Sequence, residues 1–263
     1  MPSQLLRLSG HVHVAATADL LYDDLAVKTL VAADEAVERR GTFHLAVSGG
    51  STPEKFYMRL ITDPRYRDLP WKQTHLWIVD ERCVPEDDEQ SNIKMIRESL
   101  TDHAPIRKRC VHPMPVLADA AADRYEAELR ETFEMSGGSG DLPQIDFVLL
   151  GMGGDGHTAS LFPHSPAAAV TDRLIASNTG PKVTPPDRLT MTFPLLNAAR
   201  YVAVLITGEK KTAMLQRVDQ QLRTGGPDPQ SLPITGIEAG GRRLGWYLDA
   251  AAAGEQGEQL NEA

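Results

Sequence analysis

The stretch of sequence that decides the fold is IDFVLLGMGGDGHTASLFP, residues 145–163. It opens with a continuous apolar segment at residues 147–150, and four glycines follow within the next six positions. A short apolar run that ends in turn residues is typical of a strand buried on both faces, and glycines permit a close approach of the backbone to a ligand. Because this turn carries Asp155 and His157, we expect the strand to deliver an acid and a histidine to the carboxyl edge of a sheet, where open α/β sheets bind ligands.

The rest of the chain alternates between short apolar segments and amphipathic ones. This pattern predicts further strands at residues 43–47, 76–79, 173–177, 188–193, 201–207 and 244–248, the last as an edge strand. It predicts helices at residues 19–40, 53–60, 91–100 and 118–135, and a last one from Lys211 to Leu222. Strands that alternate with helices favour an α/β fold with a doubly wound, mostly parallel open sheet and helices on both faces, as in Rossmann-like proteins.

Polar residues mark the ends of several of these elements. Thr52 is a candidate N-cap ahead of Pro53, and Ser91 or Asn92 can cap the helix that follows them. Loops are predicted at residues 136–141, which are rich in Gly and Ser, and at residues 179–187, which contain three prolines.

The composition indicates one globular domain over residues 1–253 and a polar, flexible tail over residues 254–263. With 41% hydrophobic and 24% charged residues among 263, the chain can bury a substantial core. The formal net charge of −9 disfavours binding to nucleic acid or to an anionic membrane. An anionic substrate therefore needs a local cluster of Arg and Lys side chains.

Cysteine usage and hydropathy indicate a cytoplasmic protein. Cys83 and Cys110 are too few for a disulfide framework or a zinc site, which suits a reducing compartment. No apolar run reaches the roughly 18 residues of a membrane-spanning helix, and no signal-peptide core follows a basic segment at the N-terminus. We expect no membrane association, and no obligate protein partner is evident.

The glycines of the central stretch also match the letters of a dinucleotide-binding fingerprint, G-x-G-x-x-G, at residues 151–156. That fingerprint requires a long helix after the glycines, whose N-terminus holds the pyrophosphate. Here Pro163 leaves room for barely two turns, and Asp155 would place a carboxylate among the phosphates. We therefore expect no nucleotide cofactor. No Walker motif or G-x-S-x-G nucleophile elbow is present in the sequence.

Candidate chemical groups follow several of the predicted strands. The position of His157 favours a general base over a structural histidine, because imidazole takes up protons near neutral pH. Asp80-Glu81-Arg82 follows a second strand and is either a surface ion-pair cluster or an anion site with an orienting acid. The Gly/Ser turn at residues 48–52 offers backbone N–H groups at a helix start, which suits an anion, and Lys211 follows a third strand. Together they predict a phosphorylated small molecule as the ligand.

Five segments carry a resemblance to a known family. They are AVSGGSTP (46–53), VDERCVPEDDEQSN (79–92), LLGMGGDGHTASLFP (149–163), RLTMTFPLLNAAR (188–200) and TGEKK (207–211). In these segments the chain resembles the 6-phosphogluconolactonases of the glucosamine-6-phosphate isomerase/6-phosphogluconolactonase family, over residues 20–248. The resemblance implies a phosphosugar isomerase-like fold and hydrolysis of 6-phospho-D-glucono-1,5-lactone, the second step of the oxidative pentose phosphate pathway. It also implies neither a metal nor an organic cofactor.

The resemblance assigns roles to individual residues. His157 matches the family's general base on water, and Asp155 and Asp80 match the acids that flank the site. Among the substrate-binding positions, it implies that Arg82 and Lys211 lie near the phosphate. Together with the Gly/Ser turn, the predicted substrate-binding residues are Gly49, Gly50, Ser51, Thr52, Arg82, Gly153, Arg188 and Lys211.

Two alternatives stay open at this point. Isomerase/deaminases of the family carry a glutamate five residues after the histidine and a tyrosine after the Asp-Glu pair, whereas this chain has Phe162 and Arg82 there. Both departures favour the lactonase. The second alternative is a non-catalytic phosphosugar-binding protein, which would have no need of the base at His157.

Overall fold

A computed structural model describes residues 6–134, 142–180, 182–239 and 243–254 of the chain. In these residues the strands are β1 (His11–Ala15), β2 (Phe43–Val47), β3 (Thr74–Ile78), β4 (Asp80–Arg82), β5 (Val111–His112), β6 (Phe147–Leu150), β7 (Ile175–Thr179), β8 (Asp187–Met191), β9 (Val202–Ile206) and β10 (Leu244–Asp249). The α-helices are α1 (Ala18–Arg40), α2 (Ser51–Thr62), α3 (Asn92–Ile96), α4 (Ala121–Thr132), α5 (Phe193–Ala198), α6 (Thr212–Thr224) and α7 (Ala250–Ala253). The chain continues from α3 into one wider turn of π-helix, Arg97–Thr101.

The main sheet is parallel throughout the described residues, with the strand order β1-β10-β9-β6-β2-β3-β5. The predicted fold class, a doubly wound and mostly parallel α/β sheet, is therefore confirmed. Every residue of β2, β6, β9 and β10 is buried, as expected for strands that are covered on both faces. This burial explains why β6 and β9 appear in the sequence as uninterrupted apolar runs.

The strand order reverses between β2 and β6. From β2 the chain builds outward through β3 to β5, and it then returns to place β6 on the other side of β2, followed outward by β9 and β10. At such a switch point the loops after two adjacent strands run in opposite directions and leave a crevice at the carboxyl edge. The Gly/Ser turn after β2 and the glycine turn after β6 are the walls of that crevice.

A second, antiparallel sheet contains β4, β8 and β7 in that order. Val79 joins it to the main sheet, because its N–H donates to the carbonyl of Val47 (2.9 Å) and its own carbonyl accepts from the N–H of Met191 (2.8 Å). The segments at residues 173–177 and 188–193 are thus strands, as predicted, with bounds shifted to Ile175–Thr179 and Asp187–Met191. The cluster Asp80-Glu81-Arg82, which was expected to follow a strand, itself forms β4.

The prediction that residues 244–248 form an edge strand is wrong. β10 lies inside the sheet, hydrogen-bonded to β9 on one side and to β1 on the other. Its Trp246 and Tyr247 are buried, and β1 covers the side that would otherwise be open. The true edge, β1, was not predicted, since its sequence HVHVA is short and mostly solvent-exposed.

Local signals located most helix ends to within a few residues. Ser91 caps α3 as predicted, with its side chain accepting the N–H of Lys94. The prediction of Thr52 as an N-cap is wrong: α2 begins at Ser51, two residues before the predicted start at Pro53, and Gly50 is its N-cap. The predicted loop at residues 136–141 lies outside the described residues, as does the predicted tail beyond Gly254, so the division at residue 253 stays a prediction.

A layer of histidines lies at the amino edge of the main sheet, opposite the crevice. His44 stacks against His75 with ring centroids 4.8 Å apart and accepts a hydrogen bond at Nδ1 from Trp77 Nε1–H, 3.1 Å away. Trp77 in turn stacks on His112, 3.8 Å between centroids. Since its Nδ1 is occupied as an acceptor, His44 is neutral in the folded state. Burial, reinforced by His75 and His112, lowers the pKa of His44 to about 3.

This layer predicts a specific loss of stability in acid. The unfolded chain takes up a proton at His44 near the ordinary pKa of 6.5, whereas the folded chain does not until about 3, so the free energy of unfolding falls as the pH drops between these values. Between pH 7 and pH 4.5 we expect the wild type to lose on the order of 2–3 kcal/mol more than a His44→Gln variant. Urea unfolding at both pH values measures the difference, and parallel losses in the two proteins would contradict the expectation.

Candidate active site

A cavity of about 290 Å³ occupies the crevice at the switch point. Five parts of the chain contribute to its wall: the turn after β2, strand β4, the start of α3, the glycine turn after β6, and the end of β9 with the residues that follow it. The lining residues are Ser48, Gly49, Gly50, Ser51, Thr52, Pro53, Asp80, Arg82, Asn92, Gly151, Met152, Gly153, His157, Thr158, Ala159, Leu205, Ile206, Thr207 and Lys211.

The structure brings most of the predicted site residues together at this cavity. Segments separated by more than 100 residues, such as the turn at Gly49 and the turn at His157, face the same space. Two predicted residues, Asp155 and Arg188, are not among those that line it. Asp155 lies behind His157, and Arg188 lies opposite Arg82 on the neighbouring strand.

Asp155 fixes the orientation of His157. The distance between Asp155 Oδ1 and His157 Nδ1 is 2.5 Å, and the same oxygen accepts the backbone N–H of His157 at 3.1 Å. Burial would raise the pKa of Asp155, but the hydrogen bonds and charge of His157 outweigh it and lower this pKa to about 2. Because Asp155 is ionised at neutral pH, His157 Nδ1 carries the proton. Nε2 is left as the nitrogen that can accept one.

Packing holds the His157 ring from two sides. The ring of Phe162 lies 4.9 Å away between centroids, in a tilted arrangement. On another side the ring approaches Gly153 so closely that a Cβ at that position would lie 2.1 Å from its Nδ1 and Cε1 atoms. Gly153 is therefore needed for this ring position, in addition to any contact it makes with a ligand.

Asp80 has a different set of partners. Its Oδ2 accepts a hydrogen bond from Ser160 Oγ (2.6 Å), and its backbone carbonyl accepts one from Asn92 Nδ2 (2.7 Å). Of the two acids that flank the site, Asp155 is thus the one bonded to His157. Sequence reasoning missed Ser160 and Asn92. Ser160 belongs to the quoted GHTAS motif and Asn92 follows a helix cap, so each had a signal, although neither signal indicated a site contact.

Two basic side chains reach the cavity, and backbone carbonyls hold both. Arg82 donates from Nη1 to the carbonyl of Gln90 (2.6 Å), and Lys211 donates from Nζ to the carbonyl of Met152 (2.6 Å). Burial lowers the pKa of Lys211, and the nearby Asp155 opposes that shift. The two cations are therefore fixed in place before any ligand arrives.

Arg188 lies behind Arg82 rather than on the cavity wall. It is buried, and its Nη1 donates to the carbonyls of Pro185 and of Asp187, the latter at 3.1 Å. Burial and the neighbouring charge of Arg82 lower the pKa of Arg188. The charge of Arg82 works against that of Arg188, whereas the carboxylates of Asp80 and Glu81 partly offset this repulsion. The role of Arg188 in substrate binding stays a prediction.

The start of α2 adds hydrogen-bond donors to the same wall. Its N-cap, Gly50, has no side chain that could accept a hydrogen bond. The first backbone N–H groups of the helix therefore have no side-chain cap, and they belong to residues that line the cavity. Thr52 Oγ1 lies 3.1 Å from Thr207 Oγ1, which places a pair of hydroxyls beside these N–H groups. A helix N-terminus with adjacent hydroxyls and cations is suited to bind a phosphate.

The glycine turn after β6 does not lead into a helix. Thr158 and Leu161 form an isolated antiparallel bridge, and the next helical segment is a short 3-10 turn at Pro166–Ala169. The long helix of a dinucleotide-binding fingerprint is thus missing from the residues described here. Among the same residues no group of three or more His, Cys, Asp or Glu side chains could hold a metal ion. None of the described helices is long and apolar enough to cross a bilayer.

Comparisons with known proteins agree with this architecture. The family described as glucosamine-6-phosphate isomerases/6-phosphogluconolactonase matches residues 16–246. The rabbit (Oryctolagus cuniculus) GDH/6PGL endoplasmic bifunctional protein is 38% identical over 250 residues, which are 91% of this chain but 29% of that protein. This chain thus spans less than a third of the rabbit protein.

Other relatives match over nearly their whole length. The 6-phosphogluconolactonase of Synechocystis sp. is 37% identical over 248 residues, 93% of this chain and 98% of that protein. Among solved structures, 6-phosphogluconolactonase from Leishmania guyanensis superposes with a TM-score of 0.79 at 27% identity, covering 96% of this chain and 99% of that one.

The pairing of Asp155 with His157 predicts a defined tautomer. In ¹⁵N NMR spectra at neutral pH we expect neutral His157 to carry its proton on Nδ1. In an Asp155→Ala variant it should shift towards the Nε2–H form that free histidine prefers. Asp123→Asn, which removes a carboxylate far from the cavity, is the control and should leave the spectrum of His157 unchanged. An Nε2–H tautomer in the wild type would contradict the assignment.

Proposed function

This chain belongs to the family of glucosamine-6-phosphate isomerases and 6-phosphogluconolactonases, and we propose that it hydrolyses 6-phospho-D-glucono-1,5-lactone to 6-phospho-D-gluconate. The reaction is the second step of the oxidative pentose phosphate pathway. One observation carries the proposal: a histidine with Nδ1 bonded to an ionised carboxylate lines the same cavity as Arg82 and Lys211. That cavity offers a base for water and cations for a phosphate in a single space.

The phosphate of the substrate binds at the wall formed by Arg82, Lys211 and the start of α2. The charges of Arg82 and Arg188 oppose each other on paired strands, and a phosphate dianion in front of them relieves this repulsion. The first N–H groups of α2 and the hydroxyl of Thr52 complete the set of donors. Binding at the phosphate positions the lactone ring towards His157.

His157 acts as a general base on water. Nε2 removes a proton as the water oxygen attacks the lactone carbonyl carbon, and the negative charge of Asp155 stabilises the imidazolium that forms. The tetrahedral oxyanion is stabilised by fixed N–H donors or a basic side chain of the cavity. Its collapse breaks the bond between the carbonyl carbon and the ring oxygen, and the imidazolium returns its proton to that oxygen. No covalent intermediate with the protein is needed.

The family's isomerase/deaminase activity is disfavoured by the residue that contacts His157. The position of the isomerase glutamate, five residues after the histidine, is Phe162, which is buried and packs against the His157 ring. A phenyl ring cannot shuttle the proton that ring opening requires. A purely sugar-binding role leaves the Asp155–His157 pair unexplained, since binding does not need a fixed base.

We place this reaction in the cytoplasm. Cys83 and Cys110 are both free thiols in the structure, which suits a reducing compartment. The substrate is a small phosphorylated lactone, and the proposed mechanism uses no metal and no organic cofactor.

Removal of the base tests the proposal directly. With freshly generated 6-phosphogluconolactone and correction for spontaneous hydrolysis, we expect His157→Ala to lower kcat by roughly 10²–10⁴-fold, the usual contribution of a general base. KM should change little, because the phosphate wall is intact. His103→Ala, an exposed histidine outside the cavity, is the control. If the wild type hydrolyses the lactone and His157→Ala is equally active, the role of His157 is refuted. If the wild type does not hydrolyse the lactone at all, the proposed function is refuted.

Removal of a cation tests the phosphate wall. Lys211→Met should raise KM for the phosphorylated lactone about tenfold or more, as expected for the loss of a hydrogen bond to a charged group. The KM for unphosphorylated gluconolactone should rise far less. The adjacent Lys210→Met is a matched control, since Lys210 does not line the cavity. Equal effects on the two lactones would place Lys211 away from the phosphate.

A further inference from the structure

Glu81 lies between two cavity residues, Asp80 and Arg82, but its side chain does not line the cavity. It is 2% exposed, which is unusual for a carboxylate. The proposed mechanism does not use it, and the sequence motif explains only its neighbours. A buried carboxylate requires partners to offset the cost of its desolvation.

Four donors surround the Glu81 carboxylate. Oε1 accepts the backbone N–H groups of Arg82 and Asn92, each at 2.7 Å. Oε2 accepts the N–H of Ile93 at 2.7 Å and the hydroxyl of Ser91 at 3.2 Å. The three backbone partners can only donate, so the carboxylate is the form of this side chain that satisfies them. Glu81 therefore closes the first turn of α3 from a different element, strand β4.

This contact links Glu81 to the cavity wall through two neighbours, Arg82 and Asn92. Arg82 donates to the carbonyl of Gln90, the residue immediately before the cap of α3. Asn92 donates from Nδ2 to the carbonyl of Asp80 (2.7 Å), and its Oδ1 would lie 1.8 Å from a Cβ at Gly49. The first turn of α3 thus positions the guanidinium of Arg82 and supports the Gly/Ser turn.

We propose that Glu81 is a positioning residue for phosphate recognition, because its carboxylate holds the start of α3 against β4 and thereby fixes Arg82 and the turn at Gly49. The inference rests on the proposed function, in which that wall binds the phosphate. Glu81 does not touch the substrate. It acts through Arg82 and Asn92, so its loss changes substrate binding before it changes the chemistry at His157.

Glu81→Gln tests the inference. Whichever way the introduced amide turns, its NH₂ group faces a backbone N–H, so one side of the cap opens. We expect KM for 6-phosphogluconolactone to rise about tenfold or more, with kcat changed less than twofold and the KM for unphosphorylated gluconolactone nearly unchanged. A fall in kcat with KM unchanged, or equal effects on both lactones, would overturn the proposal.

Glu126→Gln is the matched control. The Glu126 carboxylate also accepts backbone N–H groups, from Leu174 (3.0 Å) and Ile175 (3.4 Å), but it lies away from the cavity. The Glu126→Gln variant should have a lower free energy of unfolding and an unchanged KM for 6-phosphogluconolactone. Should Glu81→Gln fail to fold, Ser91→Ala removes the hydroxyl that donates to Glu81 and caps α3, and it should raise the same KM two- to threefold. An unchanged KM in that variant would count against the proposal.

Amide hydrogen exchange separates this inference from the proposed function. In Glu81→Gln the N–H groups of Asn92 and Ile93 should exchange at least tenfold faster, while those of β2 and β6 keep their rates. Unchanged exchange at both positions would overturn the role of Glu81 whatever the enzyme's substrate is. If exchange is faster in Glu81→Gln but the wild type does not hydrolyse the lactone, the role of Glu81 at the start of α3 stands and only the proposed function is refuted.

Discussion

The two hydrogen bonds of Val79 hold the site together. One joins β3 to β2 in the main sheet, and the other passes the chain to β8 of the antiparallel sheet. Through Val79 the chain thus passes directly from the main sheet into the antiparallel sheet. As a result, β4 lies across the crevice and brings Asp80 and Arg82 opposite the turns after β2 and β6. The position of the cavity is therefore a product of sheet topology.

Four charged side chains at the site each have a hydrogen-bond partner before a ligand binds. Asp155 is bonded to His157, Asp80 to Ser160, Arg82 to the carbonyl of Gln90 and Lys211 to that of Met152. Such preorganisation means that little reorganisation is needed when a charged substrate enters. Two carboxylates have different tasks in the proposed mechanism: Asp155 orients the proposed base His157, whereas Glu81, next to Arg82 on β4, supports the wall proposed to bind the phosphate.

The candidate active site and the histidine layer lie at opposite edges of the main sheet. At the carboxyl edge, partly exposed polar groups face a cavity. At the amino edge His44, whose pKa burial lowers to about 3, stacks with His75 and accepts a hydrogen bond from Trp77, and this arrangement stabilises the folded state while His44 stays unprotonated. A parallel sheet favours this division, since its middle strands are buried on both faces and polar groups are concentrated where the strands end.

The sequence by itself determined the central strand, the glycine turn, the role expected of His157 and the Gly/Ser turn at the start of α2. Each of these depends on local features: a buried run, residues that permit a turn, or a helix start. Residue patterns also singled out Arg82 and Lys211 as candidate anion partners, and the family resemblance placed them near the phosphate. The sequence could not predict that β10 is an interior strand or that Glu81 caps a helix.

Tertiary structure alone decided which acid serves which group. Asp155 and Asp80 both flank the site in the sequence pattern, yet only the folded chain pairs the first with His157 and the second with Ser160, 80 positions away. The same holds for Glu81, whose partners belong to a helix that begins beyond an intervening loop. Strand order and long-range hydrogen bonds depend on which segments lie next to each other in the folded protein. Hydrophobic periodicity reports only local secondary structure, so it does not predict those contacts.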